Sequence, residues 1–131
     1  YEIPKRDWSS DVCSSDLEFP LPARGTRTAL LELTRRRGDY AIVGLAATAQ
    51  CARGKLSHVA LAYFGVGSAP VLATTAMAAL EGNAPDKKTI AAAQAALAHD
   101  LDPNADLYTS AATRMHLARV LTARAAAELA A

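Results

Sequence analysis

Between Thr26 and Thr34 the apolar positions cluster as Leu30, Leu31 and Leu33, a spacing that suits a strand and equally one face of a helix. Arg35-Arg36-Arg37-Gly38-Asp39 then breaks any apolar face. Glycine adopts positive φ without steric cost, and aspartate bonds its own backbone in turns. The chain is therefore expected to reverse at Gly38-Asp39 and to present Tyr40 at the rim of the next apolar segment. Ala41 to Ala52 is small and apolar, the composition of a strand buried on both faces. After a hairpin-like turn at Arg53-Gly54-Lys55, Leu56 to Phe64 alternates, with Val59, Leu61 and Tyr63 on one face and His58, Ala60, Ala62 and Phe64 on the other. Three strands joined by short turns predict a small antiparallel sheet.

The period then changes. Ser68 is placed to cap a helix with Pro70 in its first turn and Gly82 just past its end, its inward stripe being Leu72, Ala76, Ala79 and Leu80. Asp86 is the next cap, ahead of Ile90, Ala93, Leu97 and Leu101 on one face. That helix must stop near Asp102-Pro103, because proline disfavours helical angles in the residue before it. Ser110 caps a last helix with Leu117, Val120, Leu121 and Leu129 inward and Arg114, Arg119 and Arg124 outward. Alanine dominates all three segments and favours helix. The predicted class is α+β: a three-stranded antiparallel sheet followed by a three-helix bundle.

Residues 1–17 stand apart from this pattern. They hold the only Trp, Trp8, and one of two cysteines, Cys13, and their apolar residues follow no period. The run Asp7-Trp8-Ser9-Ser10-Asp11-Val12-Cys13-Ser14-Ser15-Asp16-Leu17 resembles a translated sequencing adapter, so residues 1–17 are expected to be a non-native segment. Residues 18–26, with Pro20, Pro22 and Gly25, read as a linker, and 27–131 as one domain. The native chain is then expected to start upstream, with a preceding domain missing. Setting residues 1–17 aside raises the formal charge from +1 to +3. That is too little and too scattered for a nucleic-acid surface. No apolar run is long enough to span a bilayer. Cys51 alone makes no internal disulfide, which fits a reducing, cytoplasmic compartment.

Candidate chemistry is thin. Gly65-Val66-Gly67-Ser68 precedes a helical pattern and could offer N–H groups to a phosphate, but Pro70 stands where the dinucleotide fingerprint has its third glycine. A tight turn is the simpler reading. His58, His99 and His116 lie on separate elements with no metal-binding spacing, and His99 suits the end of a helix dipole. Cys51 reads as an inert core residue and Asp100 and Asp102 as loop acids. Arg37-Gly38-Asp39 spells an adhesion tripeptide, a motif short enough to recur by chance.

Several short motifs in order resemble one family. They are the Pro-rich entry Glu18 to Pro22, the strand Leu30-Leu31-Glu32-Leu33, Arg36-Arg37-Gly38-Asp39-Tyr40-Ala41, and Ala60 to Gly67 with Ala69-Pro70-Val71. Leu101-Asp102-Pro103-Asn104-Ala105-Asp106 and Ser110-Ala111-Ala112-Thr113-Arg114 to Ala125 complete the set. Together they are similar to the C-terminal domain of the FAD-binding (medium) subunit of molybdenum hydroxylases, the xanthine dehydrogenase and carbon monoxide dehydrogenase family. Thr113 stands where the family has Tyr.

The resemblance implies a domain that closes over FAD. Electrons would pass from a molybdenum-cofactor large subunit through an iron–sulfur small subunit to the flavin, and on to NAD or another acceptor. It places Tyr40 against the isoalloxazine ring. Asp39 of the same motif and Glu32, which occupies the position of a flavin-contacting Lys in some members, complete the candidate cofactor-binding set. The two glycine-rich loops that hold FAD in the family are absent from this sequence, so the chain alone is not expected to retain the cofactor or to be active. A non-catalytic, subunit-assembly domain is the alternative.

Overall fold

The computed structural model describes residues 21–131. The adapter-like segment 1–17 and the start of the linker lie outside the described residues. Four strands, β1 (Thr26–Leu33), β2 (Val43–Ala52), β3 (Lys55–Phe64) and β4 (Val71–Leu72), form one antiparallel meander in chain order. Three helices complete the domain: α1 (Thr74–Leu80), α2 (Lys87–Asp100) and α3 (Ala111–Ala130). The class is α+β, with one strand more than the pattern predicts.

β2 and β3 are joined by a two-residue turn in which Arg53 and Gly54 both have positive φ, 52° and 73°. Such a turn twists in the sense that neighbouring strands require. Further along, β3 carries an extra residue opposite Ala49, a bulge in which His58 has φ 52°. The bulge frees two backbone N–H groups, and the Glu81 carboxylate takes both, from His58 at 2.9 Å and Val59 at 2.9 Å. These two hydrogen bonds, Val59's first, hold the Glu81 pKa below the usual carboxylate range.

The helices form one layer on one face of the sheet. α3 lies across β1 and β2, α1 lies against β3, and α2 packs on both helices. The expected three-helix bundle is therefore a cover for the sheet. Leu45, Leu61, Tyr63, Leu97, Leu121 and Leu129 are at most 1% exposed, and burying each such side chain stabilises the fold by about 1.5–3 kcal/mol. Tyr63 and Thr122 join sheet to helix through a 2.8 Å hydrogen bond between their hydroxyls.

Two expectations need correction. β2 is not buried along both faces, for Ala46 faces outward and is exposed, while Gly44 on that face is covered by Phe64. α1 begins at Thr74, not after Ser68, and its N-cap residue Ala73 has no capping side chain. Val71 and Leu72 are drawn instead into β4, pairing with Tyr63 and Ala62, so Leu72 is 53% exposed and not part of an inward stripe. The cap comes from a distance. The Asp100 carboxylate accepts from Thr75 N at 3.0 Å and Ala76 N at 2.9 Å. The other two caps stand as expected, with Asp86 accepting from Thr89 N and Ser110 from Thr113 N.

Candidate functional site

The turn between β1 and β2 is built by its own side chains. Gly38 takes φ +77°, and Asp39 N donates to the Arg36 carbonyl at 3.2 Å. Asp39 then uses both carboxylate oxygens, accepting from Tyr40 N at 2.9 Å and from Arg36 Nε at 3.3 Å. The turn closes where Ile42 N donates to the Leu33 carbonyl at 2.8 Å. This geometry turns Tyr40 outward, where it is 95% exposed.

A second loop, between α2 and α3, meets the first. Asp106 Oδ1 accepts from Tyr108 N at 2.8 Å and Thr109 N at 2.7 Å, and these bonds, Tyr108's first, lower its pKa. The Arg35 guanidinium lies over the Tyr108 ring, 4.4 Å from its centroid, a cation–π contact that bridges the loops.

Arg114 ties both loops to the sheet. Its guanidinium donates to the Ile42 carbonyl at 2.7 Å, to the Gly65 carbonyl and to Asp106 Oδ2. Helical periodicity puts Arg114 on the outer face of α3, yet its side chain is only 13% exposed. The first turn of α3 runs beneath the ends of β2 and β3, so this outward position faces main-chain carbonyls instead of water.

Between the loops lies an open depression of about 440 Å³ lined by Arg35, Arg36, Asp39, Tyr40, Tyr108 and Arg114, with Ala41 and Ile42 at its back. Asp106 and Thr109 also line it, and Asp39 and Asp106 pair with Arg36 and Arg114, so its walls are polar and aromatic with Arg35 as the cation outside those two ion pairs. Of the three sequence-derived candidates, Tyr40 and Asp39 line this depression. Glu32 does not: it sits on β1, opposite Gly44, on the sheet face away from the helices. Tyr108, Arg35 and Arg114 were not singled out for the site by the sequence pattern.

A second, smaller depression of about 130 Å³ is lined by Gly65, Gly67, Asn104, Asp106 and Arg114. The Gly65-Val66-Gly67 turn is separated from α1 by β4, and the Thr75 and Ala76 N–H groups in the first turn of α1 are taken by Asp100. No group of three or more metal-ligating side chains occurs among the described residues. No described helix is long and apolar enough to cross a membrane.

The CO dehydrogenase flavoprotein C-terminal domain family matches residues 28–129. The chain belongs to that family. Among solved structures it is similar to a chain of carbon monoxide dehydrogenase from Hydrogenophaga pseudoflava, in a form lacking the Mo-pyranopterin moiety of the molybdenum cofactor. The identity is 32%, the TM-score 0.78, and the match covers 84% of this chain and 38% of that one. Reconstituted CO dehydrogenase from Oligotropha carboxidovorans matches at 29% identity and TM-score 0.78, over 84% of this chain and 38% of the other. Quinoline 2-oxidoreductase from Pseudomonas putida 86 matches at 31% and 0.75, over 85% and 38%. No curated protein matches the chain. The chain thus spans well under half the length of the solved chains it resembles, and it is a C-terminal domain of the FAD subunit of a molybdenum hydroxylase.

Proposed function

We propose that this domain closes the flavin site of its subunit, with the Tyr40 ring against the isoalloxazine of FAD. The observation that carries the proposal is an almost fully exposed aromatic on a hydrogen-bonded turn. Asp39 holds the Tyr40 N–H, Ile42 is bonded to both Leu33 and Arg114, and Tyr40 is 95% exposed. The ordered turn leaves the apolar area of the Tyr40 ring in water, and a flat apolar surface that covers it gains that burial.

In this reading Asp39 sets the turn and touches the cofactor only through Tyr40. Glu32 lies on a different surface and is a candidate for a contact outside the depression. FAD, when bound, supplies one- and two-electron transfer between iron–sulfur clusters and an acceptor such as NAD. The domain's own residues supply a lid: Tyr40 excludes water from one ring face, and Arg35 and Arg36 place positive charge beside it. The partners are a molybdenum-cofactor large subunit and an iron–sulfur small subunit, working in the cytoplasm. FAD is held chiefly by the part of the subunit outside this chain, so the chain alone should not keep it.

The test uses a hybrid subunit in which residues 28–129 replace the matching part of the Hydrogenophaga chain. Tyr40→Phe should keep flavin content and acceptor reduction near the unsubstituted hybrid. Tyr40→Ala should lose flavin during desalting and slow the acceptor. Equal behaviour of the alanine and tyrosine forms would make Tyr40 an ordinary turn residue and leave the subunit-assembly role standing.

A further inference from the structure

Three arginines line the depression beside Tyr40, and they are held in two different ways. Arg36 pairs with the Asp39 carboxylate at 3.3 Å, and Arg114 pairs with that of Asp106. Arg35 has no ion-pair partner among the described residues. Its guanidinium lies instead over the Tyr108 ring, 4.4 Å from the centroid.

The two kinds of contact differ in what they leave behind. A carboxylate orients a cation and offsets its field. The face of a neutral ring orients the cation and leaves its net charge in place. The loop that presents this ring is itself tied down. Asp106 accepts from Tyr108 N and Thr109 N with one oxygen and from Arg114 with the other, and Arg114 holds the Ile42 carbonyl at the back of the depression. Two acids against three arginines leave the lining one positive charge in excess, and Arg35 is the residue that carries it.

We propose that Arg35 tunes the redox potential of the ring that Tyr40 covers, with Tyr108 as its positioning residue. The inference rests on the flavin-closing reading for the identity of that ring. An oxidised flavin ring is neutral. On taking up two electrons and, near neutral pH, one proton, it gains one negative charge. A cation fixed in the wall of its site therefore binds the reduced form more tightly than the oxidised one, and by linkage this raises the midpoint potential. Arg35 is exposed in this chain, and closure of the site removes water from around it and strengthens its field. A higher potential draws electrons from the iron–sulfur clusters to the ring and makes their onward transfer less favourable. Arg35 thus sets the balance between filling the cofactor and emptying it.

The test is a redox titration of the hybrid subunit against reference dyes, followed at the flavin absorbance. Arg35→Gln should raise the oxidised-to-reduced ratio at a fixed solution potential about tenfold, a fall of about 30 mV for a two-electron couple. Arg35→Glu should lower the potential further, and Arg35→Lys should stay near the unsubstituted hybrid, because the potential follows charge and not shape. Tyr108→Phe should also stay near it, whereas Tyr108→Ala, which keeps the cation but no longer holds it, should fall between. An unchanged potential in Arg35→Gln, or equal shifts from glutamine and lysine, would overturn the proposal. Should the hybrid not assemble, arginine and glutamine in turn at the position aligned with Arg35 in the intact Hydrogenophaga enzyme give the same comparison. In this chain by itself, the Arg35 side-chain NMR signals should move downfield when Tyr108→Ala removes the ring above which they lie. Signals that do not move would show that Tyr108 does not hold Arg35, and also overturn it. Tyr40→Ala separates the two proposals. If it keeps flavin while Arg35→Gln still lowers the potential, the tuning stands and the ring contact does not. If it loses flavin while the potential ignores Arg35, the ring contact stands and the tuning does not.

Discussion

Tyr63 donates its hydroxyl proton to Thr122, and the direction of that bond is fixed. Thr122 Oγ1 lies 2.8 Å from the Ala118 carbonyl, which can only accept, so the threonine proton is committed to α3. The 2.8 Å bond between the hydroxyls must then run from Tyr63 to Thr122. Burial pushes the Tyr63 pKa up to about 12, which keeps the phenol a donor throughout the neutral range.

The direction makes the two partners unequal. Thr122→Val strands a buried phenol O–H and should cost about 1–3 kcal/mol, whereas Tyr63→Phe leaves Thr122 bonded to Ala118 and should cost about 1 kcal/mol. Denaturant unfolding of both variants at constant m-value checks the order. The reverse order would mean that the donor assignment is wrong. Because the folded pKa is raised, this group's contribution is complete below about pH 10 and is lost as pH rises toward the folded value. The wild type should therefore lose stability on strong alkalinisation, and Tyr63→Phe should lose less.

What could be read from the sequence divides along the same line between local and distant partners. Asp86 and Ser110 were legible as caps because each bonds an N–H three residues on. The Gly38-Asp39 turn was legible because Asp39 bonds the very next residue. The start of α1 was not legible, since its cap is Asp100, 25 residues away from Thr75. Two-residue β4 exists only because β3 offers it an edge. Tyr40 and Asp39 could be found through a motif. Arg114 could not be assigned by periodicity, because its surroundings are set by where β2 and β3 end. Tyr108 could not be found either, as its partner Arg35 lies in another loop.

Arg114 should be the least replaceable side chain near the site. Arg114→Ala removes the side-chain donor to the Ile42 and Gly65 carbonyls and should cost about 2 kcal/mol or more. Arg114→Lys should recover only part of this, because a single ammonium lacks the planar fork that reaches several acceptors at once. Amide hydrogen exchange should rise first in the 39–42 turn. If Lys restores full stability and protection, the fork geometry is not what holds the loops together.

Acid should loosen the join between α1 and α2. Burial opposes ionisation of Asp100, but the N–H groups of Thr75 and Ala76 outweigh it and bring the pKa below its ordinary value. The Glu81 pKa is likewise lowered at the β3 bulge. A group whose folded pKa is depressed stabilises the fold above its unfolded pKa, about 4 for these acids, and loses that contribution as pH falls through the folded value. Stability should thus decline below about pH 4. Asp100→Ala should lose about 1 kcal/mol at neutral pH, the usual effect of removing a cap, and should show a shallower acid decline than the wild type. Parallel pH profiles for the two proteins would show that Asp100 is not one of the titrating groups.

Gly65 and Gly82 give a paired test of how the site is tethered to the sheet. Both have positive φ, 76° and 73°, so alanine at either should meet the left-handed penalty of about 1–2 kcal/mol. Their surroundings differ. A Cβ on Gly82 meets nothing within 4 Å, whereas one on Gly65 comes within 2.7 Å of the Ile42 carbonyl oxygen, a backbone atom held by Arg114. Gly65→Ala must therefore push Ile42 away and loosen Arg114's grip on it, so it should cost clearly more than Gly82→Ala. Since Arg114 also bonds the Gly65 carbonyl, Gly65→Ala and Arg114→Ala should be less than additive when combined, while Gly82→Ala and Arg114→Ala should add. Equal costs for the two glycine variants, or full additivity at Gly65, would show that the end of β2 is free to move without disturbing the turn that carries Tyr40.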